Sequence, residues 1–552
     1  MNVLRLTGIA SGLDTDQIVK DLMRIERMKV DRYYQQRQVL QWQKEQYREI
    51  INKVRVFRDK YFDILKPETN LTSPTSLKKM ITKVSAADVV SVTASPSTIL
   101  GETTLQIIQS ATAARAVSGP VTDGERLNLS DTMENILAGG FGGEENIFDE
   151  NGQFIFRLND VEITIKADET LSTFLQKINH SKAGVQISYS SFSNTFTMVA
   201  RSTGEGYLEL DEYGKELFEA LGFAAKPAGE GQEVYYLGEA GRNAEFFING
   251  YRGSSRTNTF TIDGLTYTIL QRVDLPDGVN DPDDVNPDNL PGITITTEVD
   301  VEGIYNTLTS FINDYNELIE AINAKLNEEH FRDFPPLTEE QKEAMSEKEI
   351  ELWEEKAKSG LLRRDSALEA MLRNLRAVLY DAVDGMNITQ IGIETSKDYR
   401  EHGKLVLTNN GEDLKRAIAQ NPDMVAELFT RRSEISYSAT LTAEERAQRY
   451  AESGIGARIS DILNDNIRTT RDNAGKKGIL LEKAGIEGDI TEFRNFYDER
   501  IKEINKQIDR LNELFARKEE AYYRQFAAME KALQQLYAQA DYLMAQLQRN
   551  SY

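Results

Sequence analysis

The two ends of the chain carry apolar residues in a repeat of three and four, and this feature constrains the fold most. No glycine or proline interrupts residues 489–552. This spacing predicts one helix about 90 Å long at 1.5 Å per residue. The apolar positions of this repeat are Ile501, Ile504, Ile508, Leu511, Phe515, Tyr522, Phe526, Met529, Leu533, Leu536, Ala540, Leu543 and Leu547. No compact domain of this chain covers such a helix along its whole length, so part of the repeat must pack on another helix or another copy.

The N-terminal end predicts a matching helix over residues 14–66, which Pro67 ends. Asp14 stands at the N-cap position, and Gln17 three residues later predicts a capping box. Ile18, Leu22 and Ile25 follow on one face, which we expect to pack on the last helix. Further along, the helix carries two apolar rows at sevenfold spacing, Leu40, Tyr47, Val54 and Tyr61 in one and Ile50, Phe57 and Ile64 in the other.

The apolar faces at the two termini have two interpretations. For residues 40–66 and 490–520, an intramolecular helical bundle and self-association both stay open. For residues 1–30 and 520–552, two helices alone leave much of each face exposed, and exposed apolar surface of that extent is typical of an interface. The residues that we predict in this interface are Ile18, Leu22, Ile25, Tyr522, Phe526, Met529, Leu533, Leu536, Leu543 and Leu547.

The middle of the chain, from about residue 77 to 300, changes to short alternating runs of Val, Ile, Thr and Phe. An example is NTFTIDGLTYTIL (258–270), in which Asp263-Gly264 predicts a hairpin turn. Helical periodicity returns from residue 303. We therefore predict an α+β multidomain chain with long terminal helices that pair as a coiled-coil leg, a helical-bundle body and two inserted β-rich head domains. The expected boundaries are 1–40 with 515–552 for the leg, 41–76 with 301–514 for a body that includes a small β-hairpin, 77–115 with 240–300 for one head, and 116–239 for the outer head.

Composition argues against several classes of function. The formal net charge of −24 argues against nucleic acid as a partner, because phosphate contacts need a basic patch. No run of eighteen apolar residues is present, so we expect no membrane partner, and the N-terminus has no apolar segment of signal-peptide length. The absence of cysteine removes disulfides and thiolate zinc sites.

Three stretches that suggest chemistry have plainer interpretations. Ser11, in GIASG, lacks the spacing of a nucleophile elbow, and its glycines favour a bend before the helix. Aspartates in the Pro- and Asn-rich stretch 274–292 lack the EF-hand order, so a surface loop is favoured over the alternative of a calcium site. Residues 331–360 are typical of a charged insert with a solvated helix. We predict no catalytic, metal-binding or cofactor-binding residues and no cofactor, and therefore no enzyme.

Several stretches together resemble one known family. They are GIASGLDTDQIVKDLM (8–23), FRLNDVEITIKADETLSTFLQKINHSKAGVQISYSSFSNTF (156–196), EFFINGYRGSSRTNTFTIDGLTYTI (245–269), IGIETSKDYREHGKLVLTNNGEDLKRAIAQNPDMVAELF (391–429) and YYRQFAAMEKALQQLYAQADYLMAQL (522–547). In this order they are similar to the flagellar filament cap family, also called flagellar hook-associated protein 2.

The resemblance implies a structural cap at the tip of the bacterial flagellar filament. The implied partners are the chain itself in a ring, expected to be a pentamer, flagellin, a flagellar export chaperone and hook-filament junction proteins. The cap would guide exported flagellin into the growing end and prevent its loss. The implied location is extracellular, reached through the flagellar secretion system without a cleaved signal peptide. The alternative is a surface adhesin that binds host mucin or glycan through its β-rich heads.

Overall fold

The computed structural model describes residues 12–120, 126–138, 147–229, 231–279 and 281–549. The chain divides into two compact units, which we call the helical unit (Met1–Lys78 with Val301–Tyr552) and the β-rich unit (Lys79–Asp300). The predicted α+β class, with long terminal helices and a β-rich middle, is confirmed.

The helices of both units follow the periodic apolar segments of the sequence. In chain order they are α1 (Thr15–Tyr61), α2 (Met133–Ala138), α3 (Leu171–His180), α4 (Glu212–Ala220), α5 (Val301–Asn327), α6 (Glu339–Glu343), α7 (Glu347–Lys358), α8 (Ser366–Tyr380), α9 (Glu412–Gln420), α10 (Pro422–Thr430), α11 (Ala443–Glu452), α12 (Ile455–Ile467), α13 (Ile479–Ala484) and α14 (Phe496–Arg549).

The core of the helical unit is built on the C-terminal half of α1. Phe57 and Tyr61 pack against Phe311 of α5, with ring centroids 5.7 Å and 5.3 Å from it, and the Tyr61 ring meets it edge to face. Tyr61 Oη donates to Asp314 Oδ2 at 2.7 Å, so the buried ring keeps a hydrogen-bond partner. The first helix is thereby fixed to the body along one half of its length.

The prediction that the first helix runs to residue 66 is wrong. It ends at Tyr61, and Ile64, expected in an apolar row, is 83% exposed. The Oδ1 atom of Asp63 accepts a hydrogen bond from the Leu65 N–H at 3.0 Å. Local side-chain-to-backbone bonds of this kind compete with helical ones and explain the early end.

Short antiparallel strands make up the sheets. In chain order they are β1 (Met80–Val84), β2 (Val90–Ala94), β3 (Gly101–Gln109), β4 (Arg115–Val117), β5 (Gln153–Leu158), β6 (Val161–Lys166), β7 (Val185–Ser190), β8 (Thr195–Ala200), β9 (Gly206–Leu210), β10 (Ala225–Pro227), β11 (Tyr235–Gly241), β12 (Ala244–Ile248), β13 (Tyr251–Ser255), β14 (Thr259–Ile262), β15 (Leu265–Ile269), β16 (Ile293–Val299), β17 (Ile393–Thr395) and β18 (Leu405–Leu407).

In the described part of the β-rich unit, the strands form three sheets around two large apolar cores, and a smaller cluster forms around Ile108, Phe247 and Val285. A five-stranded sheet, β1-β16-β3-β12-β13, and a three-stranded sheet, β14-β15-β2, share one core that contains Phe246 and Tyr267. An eight-stranded sheet, β6-β5-β9-β11-β4-β8-β7 with β10 on β11, packs on α3 and α4 around Phe156 and Phe174. In the helical unit, β17 and β18 pair as a small antiparallel ladder.

The predicted hairpin turn at Asp263-Gly264 is confirmed. Ile262 of β14 pairs with Leu265 of β15, and the two turn residues have φ angles of 51° and 80°. Two positive φ angles are typical of the tight turn whose twist matches that of the flanking strands.

Candidate assembly surface on the paired terminal helices

The helices α1 and α14, which we call the helix pair, run antiparallel. Lys44 Nζ lies 2.6 Å from Asp498 Oδ1 near one end of the contact, and Glu26 Oε1 lies 2.7 Å from Lys518 Nζ further along. Arg37 donates to Asn505 Oδ1 between them at 3.3 Å. These polar contacts set the register in which the apolar residues meet.

Apolar side chains fill the contact within the helix pair. The buried members are Val19, Met23, Val30, Ile508 and Phe515. Those half-buried against them are Tyr33, Ile504, Leu511, Tyr522, Tyr523 and Phe526. Each fully buried side chain of this size contributes about 1.5–3 kcal/mol to holding the pair together.

Glu26 occupies a position within this contact although it is charged. Its side chain accepts hydrogen bonds from Lys518 and, at 3.0 Å, from Lys29. These bonds, that from Lys518 first, hold the pKa of Glu26 below its ordinary value. The carboxylate therefore stays charged and paired at neutral pH.

The expectation that Ile18, Leu22 and Ile25 pack on the last helix is wrong. Ile18 is half-buried, and Leu22 and Ile25 are 36% and 66% exposed. The packed row lies one position further along the chain, at Val19 and Met23, about 100° around the helix. The charged Glu26 interrupts that row, so a search for apolar residues alone selects the neighbouring one.

The start of α1 is capped, with one bond of the expected two. Asp14 Oδ1 accepts from the Gln17 N–H at 2.9 Å, which supplies the N-cap. The Gln17 side chain donates instead to Asp21 Oδ1, 3.2 Å away and one turn further on. The reciprocal bond of a capping box is therefore absent between these two described residues.

The C-terminal part of α14 continues past the described start of α1. In the antiparallel register Thr15 lies beside about residue 530, and α14 extends roughly 30 Å further at 1.5 Å per residue. Of the predicted interface residues, Tyr522 and Phe526 pack on α1, and Met529 and Leu533 are half-buried. The remaining three predicted interface residues on α14 are exposed, namely Leu536, Leu543 and Leu547, at 59%, 57% and 66%.

Three exposed side chains missed by the sequence interpretation widen this apolar surface. They are Tyr537, Tyr542 and Met544, each more than half exposed. Tyr537 and Met544 are seven residues apart and lie beside the predicted row. This sevenfold spacing is the sequence signal that marks them. We call Leu536, Tyr537, Tyr542, Leu543 and Met544 the tip stripe.

Two other kinds of site concern the described residues, a membrane-spanning helix and a metal site. None of their helices is long and apolar enough to cross a membrane, and no three of their His, Asp or Glu side chains cluster as metal ligands. In the acidic loop, Asp274 pairs with Arg272, Asp283 pairs with Arg252, and Asp281 accepts from the Asp283 N–H. These carboxylates therefore stabilise the loop and attach it to β13.

Two family models match the chain. Residues 241–538 match the model described as flagellar hook-associated protein 2 C-terminus, and residues 11–114 match the model described as flagellar hook-associated protein 2 N-terminus. The first of these matches covers more than half of the chain.

Similar proteins carry the same description. A flagellar hook-associated protein 2 from Halalkalibacterium halodurans is 29% identical over an aligned length of 569 residues. The alignment covers 97% of this chain and 98% of that protein. One from Thermotoga maritima is 26% identical over 401 residues, which cover 72% of this chain and 55% of that protein.

A solved structure shares the fold. Three domains of the flagellar cap protein FliD from Escherichia coli superpose with a TM-score of 0.51 at 17% identity, covering 77% of this chain and 97% of that one. At this identity the likeness concerns the fold.

Proposed function

The chain belongs to the flagellar hook-associated protein 2 family, and from this membership we propose that it is a subunit of a structural cap on the bacterial flagellar filament. Copies of the chain form a ring at the filament tip, five in the working cap. The ring guides exported flagellin subunits into the growing end and prevents their loss.

The tip stripe is the observation that supports this proposal most directly. It places five large apolar side chains, each more than half exposed, on the last turns of a long helix. An apolar surface of this kind is typical of an interface. An isolated helical segment is also marginal in water, so it gains stability when another helix covers it. Helices of neighbouring subunits and of flagellin offer such cover.

Ile18, Leu22 and Ile25 belong to the same proposed surface. Leu22 and Ile25 are exposed on α1, on a face that α14 leaves uncovered. We assign this face to contact with a neighbouring copy or with flagellin. The contact within the subunit and the contact between subunits then use different rows of one helix.

We also propose how the chain leaves the cell and which other flagellar proteins it contacts. The chain leaves the cell through the flagellar secretion system, binds an export chaperone before export, and meets hook-filament junction proteins where the filament begins. The paired ends act as a coiled-coil leg with the boundaries given above, and the β-rich unit supplies the two heads. None of the similar proteins named above is described as an adhesin, and no described contact favours that alternative.

Complementation tests the proposal in a bacterium of a motile species whose own gene for the filament cap has been deleted. The wild-type chain should restore filaments and lower the amount of unassembled flagellin in the medium. A chain with Leu536→Ser and Leu543→Ser should be exported but should not restore filaments. The two serines remove apolar side chains with which the tip stripe contacts neighbouring helices. Val56→Ser, which changes an exposed apolar residue of α1 away from the tip stripe, should behave as wild type.

Two outcomes would contradict the proposal. In one, the wild-type chain is detected in the medium but flagellin loss is unchanged. In the other, the tip variant restores filaments as well as the wild-type chain does.

A further inference from the structure

A cavity of about 1010 Å³ opens in the helical unit, beside the helix pair. Residues 330–336 and part of α7 form its other wall. Its floor is apolar and half-buried, with Val39, Leu40, Phe331, Phe334 and Ile504. We call this cavity the basic groove because of its rim.

Five cationic side chains stand around the basic groove, namely Arg32, Arg332, Arg500, Lys506 and Arg510. Glu503 is the single carboxylate of the described residues that line the groove, and it lies 2.9 Å from Arg500. Among the described residues no ion pair or hydrogen bond involves the side chains of the other four, and all four are exposed. Unpaired cations around an apolar floor, in a chain of net charge −24, fit an acidic amphipathic helix.

The outer face of α7 has that chemistry. Glu347, Glu351 and Glu355 recur every four residues and are exposed, and Leu352 beside them is 50% exposed. We call these four residues the acidic ridge. Only Glu351 has a described ion pair, with Lys348 at 2.7 Å, and both side chains are about 70% exposed, so this pair contributes little and can exchange partners.

The acidic ridge of a subunit cannot fill the basic groove of the same subunit. Ala357 of α7 is buried and lines that groove. Glu355 precedes it by two residues and therefore lies about 160° around the helix from it. Glu351 and Leu352 lie about 120° and about 140° from Ala357, and Glu347 lies about 80° from it. Most of the ridge therefore points away from its own groove and is available to a second copy.

We propose that the acidic ridge of one copy docks in the basic groove of the next. The inference rests on the proposed ring and deepens it by naming a contact between subunits. Because the groove and the ridge are different surfaces of one chain, the contact is heterologous and repeats from copy to copy. Such a contact closes into a ring when the rotation between copies allows it. It also gives the charged insert a role.

Charge reversal in the full-length chain tests this contact. The groove variant carries Arg32→Glu and Arg510→Glu, and the ridge variant carries Glu351→Lys and Glu355→Lys. Each should raise the apparent dissociation constant of assembly, measured by sedimentation velocity, by about tenfold or more, because close charge pairs become repulsive. The variant with all four changes should recover assembly to within about threefold of wild type. Unchanged thermal unfolding of each variant is the control for folding.

An equimolar mixture of the groove and ridge variants provides a second rescue. When the two variants alternate, each reversed groove faces a reversed ridge and each unchanged groove faces an unchanged ridge, so the mixture should form alternating oligomers that neither variant forms alone. A closed ring of five keeps one mismatched contact, so the quantity measured is the formation of oligomers and not ring closure. Failure of both rescues, or assembly that is unaffected by either reversal, would overturn the contact. If assembly survives the reversals but is lost with Leu536→Ser and Leu543→Ser, this inference fails while the proposed function stands.

Discussion

At the scale of single residues, one partly buried polar contact joins three distant segments of the helical unit. Lys483 Nζ donates to Tyr47 Oη at 2.6 Å and to Asp365 Oδ2 at 2.7 Å. Asp365 also caps α8, since its Oδ1 accepts from the Ala367 and Leu368 N–H groups. Burial opposes ionisation of Asp365, but the hydrogen bonds from Lys483 and Tyr47 outweigh it and hold the pKa of Asp365 below its ordinary value.

Asp365→Asn should make the chain less stable at neutral pH and less sensitive to acid. A lowered folded-state pKa gives stability that is complete above the unfolded-state pKa, about 3.9, and is lost as pH falls through the folded-state value. We expect the substitution to lower the free energy of unfolding by about 2 kcal/mol at pH 7. The difference from wild type should shrink below about pH 4.

Urea denaturation of wild type and Asp365→Asn across this pH range measures the effect. Asp398→Asn is a suitable control, because Asp398 pairs with Arg400 in an exposed turn and a surface ion pair of this kind contributes little to stability. A loss for Asp365→Asn that is the same at pH 7 and in acid would contradict the assigned ionisation.

At the scale of elements, α1 has two apolar rows with different partners. Met23 is buried against α14, whereas its neighbour Leu22 is partly exposed. The two side chains are similar in size and adjacent in sequence, so they form a matched pair of probes.

Met23→Ala should lower the free energy of opening of the helix pair by about 2–3 kcal/mol, because it leaves a cavity in a packed contact. Leu22→Ala should change this free energy by less than about 0.5 kcal/mol and should weaken self-association instead. Hydrogen exchange of the backbone amides in Thr15–Val30, in a dilute sample, measures the opening. Equal effects of the two substitutions would contradict the assignment of the rows.

The sequence predicts the elements well but not the phase of α1. Apolar spacing identifies α1 and α14 because burial of an apolar face decides where they form, and the turn residues Asp263-Gly264 identify the hairpin because they accept positive φ angles. The sequence assigns the wrong face of α1 to the contact with α14, because at Glu26 an ion pair with Lys518 takes the place of an apolar contact. The row of Leu40 and Tyr47, continued backwards by sevens, passes through Tyr33, Glu26 and Val19, and this was the available signal.

The basic groove could not be predicted from the sequence. Its rim joins Arg32, Arg332 and Arg510, which lie hundreds of residues apart and meet only through the antiparallel register and the docking of the insert. That docking depends on individual hydrogen bonds, such as Gln35 to the Pro336 carbonyl at 2.8 Å and Trp353 to the Pro335 carbonyl at 2.7 Å. No periodic pattern in the sequence records such contacts.

At the scale of the whole molecule, the terminal helices α1 and α14 pack on each other although the β-rich unit is inserted between them in the sequence. The contact within the helix pair buries part of the apolar repeat on each helix, and the tip stripe on α14 and Leu22 and Ile25 on α1 stay exposed. We therefore expect the folded chain to associate with itself, and we expect that association to depend on these exposed apolar side chains.

Sedimentation velocity of the purified full-length chain over a wide concentration range tests this claim most directly. We predict that the wild-type chain and Val56→Ser form closed oligomers, and that Leu536→Ser with Leu543→Ser stays a monomer with unchanged thermal unfolding. A wild-type chain that remains a monomer at every concentration, or a tip variant that assembles as well as wild type, would contradict the account.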